Sequence, residues 1–414
     1  MSCRSVRVFR CGDELMHRLR QNLLCCLTAL LLCPCLLRAG EWSGHVEAQA
    51  RYFTQPPDDS AQAGADASLA LQPEYYHRWD DSRQSLLFVP FARWDNRDSA
   101  RSHADIRELI WTHAGDGYET RAGIGKVFWG VTEAQHLVDV INQTDLVENP
   151  DGEQKLGQPM LKLSLERDWG ILDLYLLPGF RQRTFPGREG RLRTHPRVDT
   201  DLALYESERK ARHVDLAARW SRSIGDWDIG LSHFSGTSRD PIFIPRLTAA
   251  GEPVLAPYYA LMHQTGLDLQ ATKGDWLWKL EAIHRRTDNG SYNASTGGFE
   301  YTLVGIGDSV MDLGLLAEYL YDGRGAAATT PFEGDLFLGL RLTANDIDGS
   351  ELLTGVIRDR DTSAAMFNLE ASRRIGNAWK ASAQIRLWFG VGDDDPLATL
   401  RHDDYCEISL ARYF

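Results

Sequence analysis

Six arginines, Arg181, Arg183, Arg188, Arg191, Arg193 and Arg197, fall within "FRQRTFPGREGRLRTHPR" against a single acid, Glu189. A guanidinium stays charged and donates through a planar fork that matches carboxylate or phosphate, so such a cluster suits anion recognition better than proton transfer. A second segment, "VTEAQHLVDVINQTDLVENPDGEQ", carries Glu133, Asp139, Asp145, Glu148, Asp151 and Glu153. Facing one another across a passage, the two segments would set up a transverse field. The arginines could equally bind phosphates of lipopolysaccharide or pair with "LYESERK" just downstream.

Other chemistry is faint. The twelve histidines show no metal-ligand spacing, and His233 with Ser235 in "SHFSGTS" is a weak trace of a hydrolase. The acidic "GDDDPLATLRHDD" lacks the glycine-spaced ligand series of a calcium loop and reads as a solvated loop. No catalytic residue, metal site or cofactor is expected.

The chain carries a formal net charge of −13. Its first 39 residues hold six arginines against Asp13 and Glu14, a net of +4, so the remainder carries −17. That balance argues against nucleic acid as a partner. The same 39 residues join a basic start to the apolar run "NLLCCLTALLLCPCLLRAG", the plan of a secretory signal peptide and too short for a membrane helix. Six of the seven cysteines lie there, so only Cys406 remains and no internal disulfide is expected beyond residue 39.

From residue 40 onward the elements that must position these side chains have a period of two. In "NAWKASAQIRLWF", Trp379, Ala381, Ala383, Ile385, Leu387 and Phe389 share one face, while Lys380, Ser382, Gln384 and Arg386 share the other. "HVDLAARWS", "SVMDLGLLAEYLY" and "PMLKLSLERDW" alternate in the same way. Short turns rich in Gly, Asp and Asn, at 79–83, 114–117, 167–170, 223–226, 272–275, 305–308, 345–350 and 374–377, alternate with longer connections. The longer ones fall near 54–66, 95–103, 129–158, 180–211, 235–257, 287–298, 322–334, 358–364 and 390–404. This predicts an all-β chain: a transmembrane antiparallel β-barrel of about 18 strands, with short periplasmic turns and long extracellular loops. A propeller would show a repeat of about 40–50 residues, and none is present. Trp227, Trp276 and Trp379 each open a strand after a short turn, as an interfacial girdle would.

The last residues, "CEISLARYF", set Cys406, Ile408, Leu410, Arg412 and Phe414 on one face. Here the sequence resembles Gram-negative outer-membrane barrels, porin-like proteins whose closing strand typically ends in Phe after alternating apolar residues; Arg412 departs from that pattern. The resemblance implies reading of Phe414 by the barrel-assembly machinery, contact with outer-membrane lipid and lipopolysaccharide, and location in the bacterial outer membrane. "GKVFWGVTEAQHLVDVINQTDLVE" and "LYLLPGFRQRTFPGREGRLR" are similar to stretches of uncharacterised proteobacterial barrels. The resemblance also implies that the third long connection, 129–158, folds into the lumen as a constriction. Thr132 and Gln135 form a capping box ahead of Leu137, Val140 and Ile141, predicting a short helix there.

Candidate constriction residues are therefore the six arginines of the fourth connection, 180–211, and Glu133, Asp139, Asp145 and Glu148 of the third. Lys162, Arg219, Lys279, Glu281, Glu318, Arg341, Lys380 and Arg386 point to the lumen as solvated, paired wall charges. The function expected is passive diffusion of small polar or anionic solutes, without catalysis. The alternatives are export of an anionic polysaccharide, or a plugged barrel with a structural or enzymatic role.

Overall fold

The computed structural model describes residues 40–414; the segment read as a signal peptide lies outside them. The first half of the chain forms β1 (Glu41–Phe53), β2 (Ala65–Trp79), β3 (Gln84–Asp95), β4 (His103–Gly115), β5 (Tyr118–Gly125), β6 (Gln158–Arg167) and β7 (Gly170–Pro178). There follow β8 (Leu204–Tyr205), β9 (Val214–Ile224), β10 (Trp227–Thr237), β11 (Ile242–Leu247), β12 (Pro253–Tyr259) and β13 (Leu261–Lys273). The rest is β14 (Trp276–Thr287), β15 (Gly290–Leu303), β16 (Asp312–Asp322), β17 (Gly334–Thr343), β18 (Glu351–Asp359), β19 (Ala365–Ile375), β20 (Trp379–Phe389) and β21 (Tyr405–Tyr413).

Eighteen of these strands close into one antiparallel barrel. β8, β11 and β12 form a separate three-stranded sheet within the fourth and fifth long connections. Closure is made by β21 against β1, with His45 opposite Tyr413 and Phe53 opposite Tyr405, and Phe414 N–H donates to the Gly44 carbonyl at 3.1 Å. The chain end is thus a paired strand, and a closed barrel leaves no free edge.

Alternation decides which side chain sees which solvent. Leu336, Leu338 and Leu340 on β17, and Ile408 and Leu410 on β21, point outward and are exposed, an arrangement stable only against hydrocarbon. Trp42, Trp79, Trp169, Trp227, Trp276 and Trp379 stand exposed at the short-turn end, while Tyr52, Trp94, Tyr321 and Phe389 stand exposed at the other. The ten steps from Trp379 to Phe389, along a strand tilted by about 40°, span about 25 Å, the height of an outer-membrane hydrocarbon layer. On the last strand the face of Ile408, Leu410 and Arg412 is the outward one, and the Arg412 guanidinium lies over the Trp379 ring.

Three expectations about elements are corrected. No helix forms over 132–141. The connection expected at 287–298 is a two-residue turn at 288–289; Asn289-Gly290 makes it, Gly290 takes φ +127°, and Thr287 pairs with Gly290. "SYNAST" looked like loop because it is polar, yet Tyr292, Ala294 and Thr296 alternate inward along β15. Conversely, the tight turn expected at 305–308 is an eight-residue connection, 304–311, around a 3-10 turn.

The main apolar core lies inside the barrel. Trp129, Val138, Val140 and Ile141 of the connection 126–157 pack on Tyr175, Leu177, Phe234, Met262 and Ile283 of the wall.

Candidate functional site

The connection 126–157 enters the lumen and lies along the wall formed by β4 to β15, held there by carboxylates. Glu281, on β14 and fully buried, accepts from the backbone N–H groups of Val131 (2.7 Å), Thr132 (3.0 Å) and Val138 (3.1 Å), and from Thr132 Oγ1–H (2.7 Å). Glu318, on β16 and also buried, accepts from Glu133 N–H (2.8 Å) and Ala134 N–H (2.9 Å). These bonds explain the missing helix: the wall satisfies the donors that a helix would have satisfied within itself. Thr132 Oγ1 also lies within hydrogen-bonding distance of the Gln135 carbonyl, and the Gln135 side chain reaches Thr330 and Thr296, so no capping box forms. Glu281 and Glu318 are therefore buried anchors, not the solvated wall charges expected from alternation alone.

The loop's own acids divide by task. Asp139 accepts from Trp129 N–H (2.6 Å) and Gly130 N–H (3.0 Å) within the loop. Asp145 meets Arg107 at 2.5 Å and Thr184 Oγ1 at 2.6 Å, both partners bringing it to full burial. Glu148 meets Arg93 at 3.0 Å. Arg93 on β3 and Arg107 on β4, with Arg101 between them, form a buried basic wall that was not singled out from sequence. The available signal was alternation, since Arg93 and Arg107 occupy inward positions of their strands. Of the four acids expected at the constriction, only Glu133 borders the two large open cavities of the lumen. It pairs with Arg341 at 2.6 Å and lies 3.6 Å from Lys279.

His136 sits between Glu153 (Nε2–Oε1 3.2 Å) and Glu281 (Nδ1–Oε1 3.6 Å). Burial disfavours its charged form, but the bond to Glu153 and the Glu281 carboxylate outweigh that and hold its pKa up at about 10. The two flanking carboxylates thus favour the charged ring.

The arginines of the fourth connection are distributed among the loops. Arg181 pairs with Asp105 on β4 (2.8 Å), and Arg183 with Asp240 (2.8 Å) while its Nε reaches Gln143 of the inserted loop. Arg191 pairs with Asp403 (2.5 Å) and Arg193 with Asp59 (3.0 Å), both arginines buried. Arg197 lies 3.5 Å from Asp199 and 3.6 Å from Glu252, and Arg188 is exposed. Apart from Asp199 of the same connection, their partners come from the wall and four other connections, and none from "LYESERK". Asp403 also accepts from Leu192 N–H, which makes this acid of the last loop an anchor. His233 faces outward and meets Thr265 Oγ1, so His233 and Ser235 form no nucleophile pair.

Opposite the docked loop, two cavities border the inner face of β17–β21. One cavity of about 440 Å³ is lined by Glu351, Ser372, Lys380, Ser382, Gln384 and Glu407, among others. A second of about 420 Å³, toward the long connections, is lined by Asp151, Glu153, His136, Arg386 and Trp388, among others. The two share Glu133, Leu353 and Glu370. Arg386 lies 3.3 Å from Asp151 and 3.7 Å from Glu370, and Lys380 lies 4.0 Å from Glu351. Across the lumen, a third cavity of about 250 Å³ is bordered by Arg121, Lys126, Lys162 and Arg219 against Glu108 and Asp173, so its side of the barrel is basic. Arg219 itself pairs with Asp268 at 2.6 Å.

No protein-family model matches the chain, and no curated protein is similar to it. Among solved structures, a mutant of the Rh. blastica porin with three substitutions is similar at 10% identity, covering 91% of this chain and 100% of that one, with a TM-score of 0.46. The loop L8 deletion mutant of OmpT, an outer membrane protein of Vibrio cholerae, is similar at 11% identity, 91% of this chain and 99% of that one, with a TM-score of 0.45.

Proposed function

We propose that this eighteen-stranded outer-membrane barrel is a passive channel whose solutes move between the inserted loop and the β17–β21 wall. The observation that carries the reading is one-sided docking: the loop fills the β4–β15 side and leaves two adjoining cavities on the other. No step of chemistry is required of the side chains.

The solutes favoured are small, polar, and neutral or cationic. The anionic preference expected from Arg181 to Arg197 finds little support, because five of those arginines already meet carboxylates. The two cavities are bordered by six carboxylates against Arg341, Lys380, Arg386 and His136. The most exposed charges are acids: Glu351, Glu153 and Glu370 are 61%, 52% and 45% exposed, against 37% for Lys380, 35% for Arg341 and 4% for Arg386. An exporter of anionic polysaccharide would need free guanidiniums along the bore, and the same pairing weighs against it. Similarity to uncharacterised proteobacterial barrels rests on the quoted stretches of sequence and adds no solute.

The test is to place a cysteine at Ser382, on the lumen face of β20, in a Cys406→Ser background, and to record current through reconstituted channels. Modification by a bulky thiol reagent is expected to cut the current stepwise. Unchanged current after complete modification would contradict a passage along this wall.

A further inference from the structure

The cavity nearer the long connections has a feature that passive diffusion of polar solutes does not require: its wall is apolar. Phe337, Leu353, Ile357 and Met366 form a strip along the inner face of β17–β19, joined through Met366 to Trp388 on β20. Phe332 of the connection 323–333 packs on the strip. Phe337, Ile357 and Trp388 are largely buried by their neighbours, and the faces they leave toward the cavity forgo hydration that polar residues would keep.

The backbone beneath is shaped for it. A Cβ built on Gly339 would meet the Phe337 ring at 2.6 Å, and one on Gly355 would meet it at 2.4 Å. Both neighbours of that ring therefore lack side chains, which lets it lie along the wall. Facing the strip are four carboxylates, Glu133, Asp151 and Glu153 of the inserted loop and Glu370 of β19, against two cations, His136 beside Glu153 and Arg386 between Asp151 and Glu370. The space is thus bounded by apolar and aromatic surface on one side and by a net-acidic set on the other, in which Glu153 and Glu370 are the exposed carboxylates.

We propose that this vestibule is a binding subsite for organic cations with a flat apolar body, such as an aromatic ring bearing an ammonium group. The inference rests on the channel reading and names the solute class that the channel takes best. The apolar body removes area from water against Phe337, Met366 and Trp388, and the ammonium gains from Glu153, Glu370 and the aromatic faces. An aromatic anion gains the first contribution and opposes the second; a small inorganic cation gains only the second. Affinity on the order of 1 mM is enough to enrich such a solute while still letting it leave.

The experiment measures block of potassium current through the reconstituted full chain by benzyltrimethylammonium, with tetramethylammonium and benzoate as controls. Half-block is expected at a concentration about fivefold lower for benzyltrimethylammonium than for either control. Phe337→Ala with Met366→Ala is expected to raise that concentration about threefold, Phe337→Leu to raise it less, and Glu153→Gln with Glu370→Gln to raise it about threefold. Variants are compared only where β-sheet circular dichroism matches the parent. Equal block by benzoate, or half-block unmoved by the ring-deleting pair, would overturn the proposal. Calorimetric titration of the detergent-solubilised barrel with the same three reagents tests the site independently of conduction. A barrel that conducts nothing yet binds benzyltrimethylammonium selectively would sink the channel reading and retain the site; equal heats for all three reagents would sink the site.

Discussion

Glu281 and Glu318 do their work through the backbone of a loop that enters the chain far upstream of both. Removing Glu281 leaves the buried Thr132 and Val138 N–H groups and the half-buried Val131 N–H without an acceptor, and each orphan costs more than a bond gains. Glu281→Ala is therefore expected to lower resistance to urea unfolding by about 2–4 kcal/mol and to make single-channel current noisier; Glu281→Gln, which keeps one acceptor oxygen, should lose about half as much. His136 adds a pH dependence. Its folded pKa of about 10 lies above the ordinary 6.5, so its pairing contributes fully below about pH 6.5 and is lost as pH rises through about 10. Urea stability of the parent should fall by about 1–3 kcal/mol more than that of His136→Asn between pH 7 and pH 11, and parallel curves would refute the pairing. Alternation placed Glu281, Glu318 and Arg386 on the lumen side from sequence alone. It could not tell a solvated wall charge from a buried anchor, because the partners lie more than a hundred positions away.

At the level of elements, the inserted loop is held by apolar packing as well as by carboxylates. Val138 and Ile141 are fully buried against the wall. Val138→Ala with Ile141→Ala is expected to cost about 2–5 kcal/mol and to raise mean conductance as the loop leaves the wall. A drop in stability with unchanged conductance would mean that the loop does not bound the passage. The β1–β21 seam also carries an ion pair, Arg51 with Glu407 at 2.6 Å. Removing the guanidinium leaves Glu407, 12% exposed, with Gln49 Nε2–H at 2.6 Å but no counter-charge, so Arg51→Met should cost about 2–4 kcal/mol in the same unfolding assay, and Arg51→Met with Glu407→Gln less. Strand number, lumen phase and the β1–β21 seam were legible because a period of two survives any choice of partner. The turn at 288–289 and the inserted loop's backbone were less so. "SYNAST" is polar because of its place on β15 rather than from lack of structure, and the helical spacing of Leu137, Val140 and Ile141 was overridden by acceptors on β14 and β16.

Over the whole molecule, charge is sorted into layers. Loop arginines meet loop and wall carboxylates and knit the long connections together, the basic wall of Arg93, Arg101 and Arg107 is buried beneath the inserted loop, and the open side is left acidic. A cluster of six arginines read as an isolated segment suggests an anion path; read with its partners, it is mostly neutralised. Pairing across the loops was invisible to a linear reading, which is why fold could be read further than solute. The most direct measurement is the reversal potential of single channels in a KCl gradient. The account predicts a potential favouring potassium, moved toward zero by Glu153→Gln, Glu351→Gln and Glu370→Gln together; a potential favouring chloride, or one that the three substitutions leave unmoved, would contradict it.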